Sequence, residues 1–207
     1  MPNTTPFLSI ITVVYNNLSG LIHTFESIKS QTCTDYEWIV IDGGSKDGTK
    51  EWLSKLDMEN MQYVSEKDQG LYDAMNKGLT RASGAYVWFM NSGDSIFSMD
   101  TVQILKTCSL GKDVLYGETM LVDVSGKALG IRSEKTTRVL PNKMTRFSMI
   151  RGMVVCHQSF IPKRSIAPLY NLKYRFSADI DWVISCLSKT KAIHNCESIL
   201  SNYLVGG

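Results

Sequence analysis

The first hundred residues switch repeatedly between two hydrophobic periods. "FLSIITVVY" (Phe7 to Tyr15) is a continuous run of mostly β-branched apolar residues, the pattern of a strand buried on both faces. After the interruption at Asn16-Asn17, the stretch "LSGLIHTFESIKSQ" carries Leu21, Ile22, Phe25 and Ile28 at helical spacing, which predicts a helix with one apolar face. "YEWIVID" predicts a second strand, followed by a helix from about Lys46; "MQYVSE" a third strand, followed by a helix over "LYDAMNKGLTRA"; and "AYVWFMN" a fourth strand that stops at "SGD". Strand and helix in strict alternation predict right-handed βαβ units and a parallel sheet, hence an α/β fold. Beyond Met99 the pattern loosens. "DVLYGETMLVDVSGKALGIRS" reads as short alternating strands around a Ser125-Gly126 turn, an antiparallel pair, and "SADIDWVISCLSK" resumes a helix with Ile180, Val183, Ile184 and Leu187 on one side.

Composition narrows the class. With 207 residues, 43% of them apolar and 20% charged, the chain can bury one substantial core, and a single domain is expected over 1–207. The apolar runs are strand-length, well short of the roughly 20 residues of a bilayer span. "MPNTTPF" lacks the basic start and long apolar segment of a signal peptide, so the cytoplasm is the expected compartment. Five widely spaced cysteines without a CxxC pair predict reduced, mostly buried thiols rather than a zinc site.

The net charge of +2 is unevenly spread. Between Arg132 and Arg175 ten cations (Arg132, Lys135, Arg138, Lys143, Arg146, Arg151, Lys163, Arg164, Lys173 and Arg175) face one acid, Glu134. Such a stretch is a solvated surface or an attractor for an anionic partner, a phospholipid surface or a diphosphate. Nucleic acid is not expected, since no basic helix with interleaved aromatics and no nucleic-acid-binding motif is present.

In open α/β sheets ligands bind beyond the carboxyl ends of the strands. Here those ends are polar: Tyr15-Asn16, Asp42-Gly43-Gly44-Ser45, Glu66-Lys67-Asp68-Gln69-Gly70 and Asn91-Ser92-Gly93-Asp94. Neither GxGxxG after the first strand nor GxxxxGK[ST] occurs. An acid ends the second strand directly before the glycines, where it would repel phosphate. Asp42 is suited instead to accepting hydrogen bonds from a base, the ring N–H of uracil or the N1 and amino group of guanine, or to serving as a turn or cap acid for the next helix.

The series "SIITVVYN", "WIVIDGGSKDGT", "EKDQGLYDAMNKGL" and "FMNSGD", in this order and spacing, resembles the nucleotide-sugar-binding half of family 2 glycosyltransferases with the GT-A fold. The wording "DQGLYDAMNKG" and "NSGD" is similar to the bacterial branch that builds O-antigen, capsule and colanic-acid-like polysaccharides. The likeness is strong over residues 7–97 and resumes at "CHQSFI", at "SADIDW" and at the final "GG". It implies a Rossmann-like, mostly parallel central sheet flanked by helices, with a smaller antiparallel acceptor-side region, residues 1–98 forming the nucleotide-sugar half and 99–207 the acceptor half. It further implies that Tyr15, Asn16 and Asp42 hold the nucleoside, and that Lys67, Gly70, Asp73, Asn76, Asn91 and Ser92 belong to the donor site. Asn91 to Asp94 stands where the family carries its DxD metal motif. Only the final acid is kept, so Asp94 is the expected ligand of a Mn²⁺ or Mg²⁺ ion whose other ligands are diphosphate oxygens and water.

Inverting transfer of a hexose from UDP-sugar, or from GDP-sugar, requires a base on the face of the sugar opposite the diphosphate. The family's acid pair at this point is commonly ED; here its first member is Ala178, so Asp179 matches the base, and Asp181, two residues on and facing another way, is expected to support it. Both would equally serve as first-turn acids of a helix. His157 is either a hydrogen-bonded structural residue or a contact to the diphosphate or the metal. The acceptor implied is a saccharide on polyprenyl diphosphate at the inner face of the membrane, with the basic stretch suited to that diphosphate and to anionic headgroups. Two rivals stay open: a sugar nucleotidyltransferase, which should carry a glycine- and arginine-rich N-terminal loop, and a non-catalytic nucleotide-sugar-binding module, which would be expected to lose Asp179.

Overall fold

A computed structural model describes residues 5–206, apart from the side chain of Arg151. Strand β1 (Leu8–Val14) is buried at every position and lies between β2 (Tyr36–Asp42) and β4 (Tyr86–Phe89), with β3 (Met61–Ser65) outside β2. All three pairings are parallel, from Leu8↔Tyr36 to Val14↔Asp42 in the β1–β2 ladder, so the four carboxyl ends open on one edge as the alternation predicts. Helices α1 (Leu18–Lys29), α2 (Thr49–Leu53) and α3 (Leu71–Arg81) make the crossovers.

Each helix shows how the local chain is tuned to this sheet. The Asn17 side chain caps α1 by accepting the Gly20 N–H. Its buried face is Leu21, Thr24, Phe25 and Ile28; Ile22, expected inside, is 36% exposed. Thr24 takes the inner position because its hydroxyl donates to the Asp94 carbonyl at 2.7 Å, pinning the turn after β4. Helix α2 starts at Thr49 rather than near Lys46. The intervening residues form a tied turn: the Lys46 N–H donates to Asn16 Oδ1 and the Leu18 N–H to Asp47 Oδ2. In α3, Gly78 sits mid-helix, where glycine costs about 1 kcal/mol relative to alanine. A methyl group there would collide with Ile11 Cγ2, so the glycine lets α3 close onto β1.

After β5 (Ser95–Ile96) and α4 (Thr101–Cys108), the chain builds a second sheet from β6 (Val114–Val122), β7 (Ala128–Ile131), β8 (Phe160–Pro162) and β9 (Ile193–Leu204), in the order β5-β9-β6-β7 with β8 also on β6. The hairpin β6–β7 is antiparallel, as expected. The sheet as a whole is mixed and five-stranded rather than small and antiparallel, because β9 runs parallel to β6 after the crossover through α6 (Ala178–Lys189). A four-residue helix, α5 (Arg132–Lys135), follows β7.

Alternation along β1 and β6 sorts side chains into two apolar clusters. One joins Ile11, Val13 and Ile41 to Tyr116, Phe160 and Trp182; the other joins Ile10, Val14 and Trp38 to Leu115, Ile161 and Leu200. Both draw on residues before and after position 98. The five cysteines are unpaired. Among the described residues no helix is long and apolar enough to cross a membrane.

Candidate active site

Two cavities open beyond the carboxyl ends of the parallel strands. The first, about 400 Å³, is floored by Val13, Val14, Leu71 and Ala74 and rimmed by Tyr15, Gly43, Lys67, Asp68 and Gly70. Its polar rim is held in place by side chains from neighbouring turns. Asn16 adopts a left-handed φ of 49°, donates its N–H to Ser45 Oγ and accepts from Lys46 N–H, fastening the glycine turn to the end of β1. The Gly70 N–H donates to Asp68 Oδ1 at 2.9 Å, fixing that carboxyl group at the rim.

The second cavity, about 490 Å³, is lined by Leu71, Tyr72, Asn91, Arg132, His157, Gln158, Asp179 and Tyr203, among others. Leu71, the first residue of α3, belongs to both cavities, so the amino end of that helix lies where they meet. The Tyr72 hydroxyl donates to Asp179 Oδ1 at 3.3 Å. Burial, with the Asp179 charge added, raises the Tyr72 pKa and keeps it a donor. Arg132 donates to the carbonyls of Met153 and Val154 and brings a cation to this wall.

The expected site residues separate into those that face these cavities and those that build them. Tyr15, Lys67 and Gly70 line the first cavity; Asn91, His157 and Asp179 line the second. Asp42 does not present a carboxylate to a base. It is fully buried, with Oδ1 accepting the Ser45 N–H and Oδ2 the Ser65 hydroxyl, which is the turn-acid alternative. Asn76 is also structural: its amide donates to the Tyr170 carbonyl and accepts the Tyr170 N–H, bracketing the loop before α6. Asp73 accepts the Gln69 N–H at the start of α3 and lines a neighbouring cleft with Arg175 and Phe176. The Ser92 hydroxyl is spent on the Asn17 carbonyl. Asp181, unlike Asp179, is not among the residues lining the second cavity.

His157 is a core histidine with one edge on the cavity. Its Nε2 meets the Tyr170 hydroxyl at 2.7 Å and its ring packs among Phe89, Tyr170 and Trp182. Burial lowers its pKa to about 4, so it is neutral at pH 7.

Asp94 is 5% exposed, with Oδ1 accepting the Leu204 N–H and Oδ2 the Gln158 amide, and burial lifts its pKa to about 6 against those two bonds. Three residues earlier in the chain, Asn91 Oδ1 is a buried acceptor with no partner among the described residues. Among those residues no three His, Cys, Asp or Glu side chains gather as a metal centre. A carboxylate with two hydrogen bonds keeps spare lone pairs. Asn91 lines the second cavity whereas Asp94 is not among its lining residues, so the two offer a divalent cation at most a partial shell, completed from outside the protein.

The basic stretch divides. Arg132 faces the second cavity, but Lys163 pairs with Asp113 at 3.0 Å, and Arg164 donates to the Gly84 carbonyl. Lys163 bridges to Tyr86, the first residue of β4, so this pair sits at the amino edge of the sheet, away from both cavities. Reading by sequence missed Arg132 as a site residue, and also Tyr72 and Asp68. The last two lie inside "EKDQGLYDAMNKG", where the spacing alone did not say which polar residues face the ligand.

Residues 9–167 match the family model described as Glycosyl transferase family 2. The chain is 31% identical over 194 residues to a PGL/p-HBAD biosynthesis glycosyltransferase of Mycobacterium tuberculosis, covering 88% of this chain and 70% of that protein. It is 35% identical over 183 residues to glycosyltransferase AglE of Haloferax volcanii, covering 84% and 54%. In three dimensions it resembles S. aureus TarS in complex with UDP-GlcNAc, with a TM-score of 0.74, 16% identity, and 97% of this chain and 59% of that one covered. It also resembles the mannosyltransferase PcManGT from Pyrobaculum calidifontis in complex with GDP-Man and Mn²⁺, with a TM-score of 0.70, 17% identity and coverage of 98% and 58%. The chain thus spans about 60% of the solved structures it matches. At such identities the likeness speaks for the GT-A fold, and the two bound nucleotides show that this fold accommodates either base.

Proposed function

The chain belongs to glycosyl transferase family 2, and from that premise we propose that it transfers a hexose from a nucleoside diphosphate sugar, a UDP-sugar in the first place, to a saccharide hydroxyl with inversion. The observation that carries the reading is the pair of cavities meeting at Leu71. One is sized for a nucleoside; the other is lined by a carboxylate, Asp179, held by Tyr72 next to Leu71. A donor laid across Leu71 puts its diphosphate by the amino end of α3, whose partial positive charge favours anions. Arg132 supplies a full charge on the same wall.

Asp179 then accepts the acceptor's hydroxyl proton as that oxygen bonds to the anomeric carbon and the bond from that carbon to the diphosphate breaks. The Tyr72 hydroxyl orients Asp179. Asn91 and Asp94 would hold a divalent cation together with the diphosphate oxygens; when bound, such an ion neutralises the leaving group. The acceptor suggested by the family branch is a sugar on polyprenyl diphosphate in the assembly of a surface polysaccharide, reached at the membrane's inner face. Lys163 and Arg164 have no part in holding it.

The test is to incubate the protein with Mn²⁺, UDP-hexoses or GDP-mannose, and saccharide acceptors, and to assign the product by NMR. Release of UDP with an inverted linkage is expected. A retained linkage overturns the geometry, pyrophosphate release points to a nucleotidyltransferase, and binding without turnover to a non-catalytic module.

A further inference from the structure

The base of the donor needs a reader, and Asp42 is fully buried and does not line the first cavity. The next candidate follows from a missing side chain. Gly43, immediately after β2, lies under the first cavity, and a methyl group on it would collide with Asp68 Oδ2 and come within 3.3 Å of Tyr15 Cδ2. The glycine thus leaves room for the Asp68 carboxyl group, which reaches in from the turn after β3 and stands beside the Tyr15 ring. That ring is 66% exposed and free to stack on a base. Asp68 Oδ1 is taken by the Gly70 N–H, whereas Oδ2 has no hydrogen-bond partner among the described residues.

We infer that Asp68 reads the donor's base, with Oδ2 accepting a ring N–H, and that the tie of Oδ1 to Gly70 favours uracil over guanine. Uracil offers one ring N–H, which a single carboxylate oxygen satisfies. Guanine offers an N1–H and an amino N–H side by side, and a carboxylate matches that edge only with both oxygens. For guanine, Oδ1 would have to turn its remaining lone pair to the second donor while still holding the Gly70 N–H, a geometric demand that uracil does not make. The inference rests on the donor reading above and adds the residue that sets the base.

The experiment is calorimetric titration, with Mn²⁺ present, of UDP, N3-methyl-UDP and GDP into the parent, Asp68→Ala, Asp68→Asn and Asp42→Asn. The parent is expected to bind UDP about 10–100-fold more tightly than N3-methyl-UDP, the range for a hydrogen bond to a charged group, and more tightly than GDP. In Asp68→Ala the N3-methyl penalty should fall to about twofold or less, whereas in Asp42→Asn it should persist. Asp68→Asn retains an acceptor for the Gly70 N–H, so it should keep the parent's circular dichroism and still lose the penalty; it decides the matter if the alanine variant is misfolded. A penalty that survives in both Asp68 variants, a parent indifferent to N3-methylation, or a parent that prefers GDP overturns the assignment of Asp68 while leaving the transferase reading intact. A parent that binds neither diphosphate overturns the donor reading and this inference with it.

Discussion

The two cavities are built in opposite ways. The walls of the first come from residues 13 to 74, and bonds spanning 30 residues or fewer set them: Asn16 to Lys46, Asp42 to Ser45, Asp68 to Gly70. The second gathers α3, the turn after β4, α5, the segment around His157, α6 and the end of β9, residues spread from 71 to 205. Its framework is buried polar groups that reach across that distance, such as Asp94 to Leu204 and Asn76 to Tyr170. A site tied locally survives loss of distant packing, whereas one tied over long range fails with any of several elements. Donor binding should therefore be more robust to substitution than transfer.

The largest expected effect tests the second cavity alone. Asp179→Asn should cut transfer by about 10²–10⁴-fold, the usual range for a positioned general base, and leave UDP affinity within about twofold of the parent, since the residue does not line the first cavity. Asp181→Asn should cost less. Rates of UDP release with acceptor, set beside Kd for UDP, check this; an inactive Asp181→Asn beside an active Asp179→Asn would move the base to the other carboxylate.

A second effect, about 3 kcal/mol for each group, concerns pH. Burial holds His157 at about 4, below the ordinary 6.5, and lifts Asp94 to about 6, above 3.8. Unfolding lets the histidine take up a proton below 6.5, so its contribution to stability is fully present above that pH and is lost as pH falls through 4. Unfolding lets the aspartic acid ionise above 3.8, so its contribution is fully present below that pH and is lost as pH rises through 6. At about 1.4 kcal/mol per pH unit the two slopes nearly offset each other between pH 4 and 6. The urea midpoint of the parent should be flat there, that of Asp94→Asn should rise with pH, and that of His157→Gln should fall. Three parallel profiles would sink the assignment.

Asn76→Ala sharpens the comparison, because this side chain joins α3, which serves both cavities, to the loop that supports only the second. Removing its two bonds to Tyr170 should cost about 2 kcal/mol and lower kcat several-fold, with UDP affinity nearly unchanged; equal losses in both would show that the cavities are not separable. The smallest effect is expected at the far edge of the sheet. Lys163→Ala and Arg164→Ala should leave KM for a diphosphate-lipid acceptor within about twofold of the parent, and a salt-sensitive rise would return these cations to acceptor binding.

What could be read from the sequence followed the same division. The parallel sheet, its helices and the polar strand ends were legible because each strand–turn–helix unit announces itself within about 30 residues by a change of period. The place of Asp179 in "SADIDW" pointed to the side chain that lines the second cavity, while its role as base stands as a proposal. Strand β9 was not, since "IHNCESILSNYL" has no clean alternation and its partner β6 lies some 80 residues earlier. Nor could the sequence say that Asp42, Asn76 and Asp73 would be bonded to neighbouring backbone and hydroxyl groups. An acid next to a glycine turn has the same spelling whether it points into a cavity or under it. Gly43 was the available clue, for a glycine where a side chain would crowd the site leaves space for something else, and here Asp68 fills it.

The route of the chain through the first sheet also has a practical side. Strand β1 enters at Pro6 and Phe7, by the amino edge, and runs seven residues, about 20 Å at ~3.3 Å each, before it reaches the first cavity. Strand β9, by contrast, carries the chain to Tyr203 and Val205, which line the second cavity. A bulky label attached to the exposed Ser83, just before β4, sits at the opposite edge from both openings. The same label on Val205 stands in the wall of the second cavity, so two preparations differing only in the labelled position should give equal UDP affinities and unequal turnover.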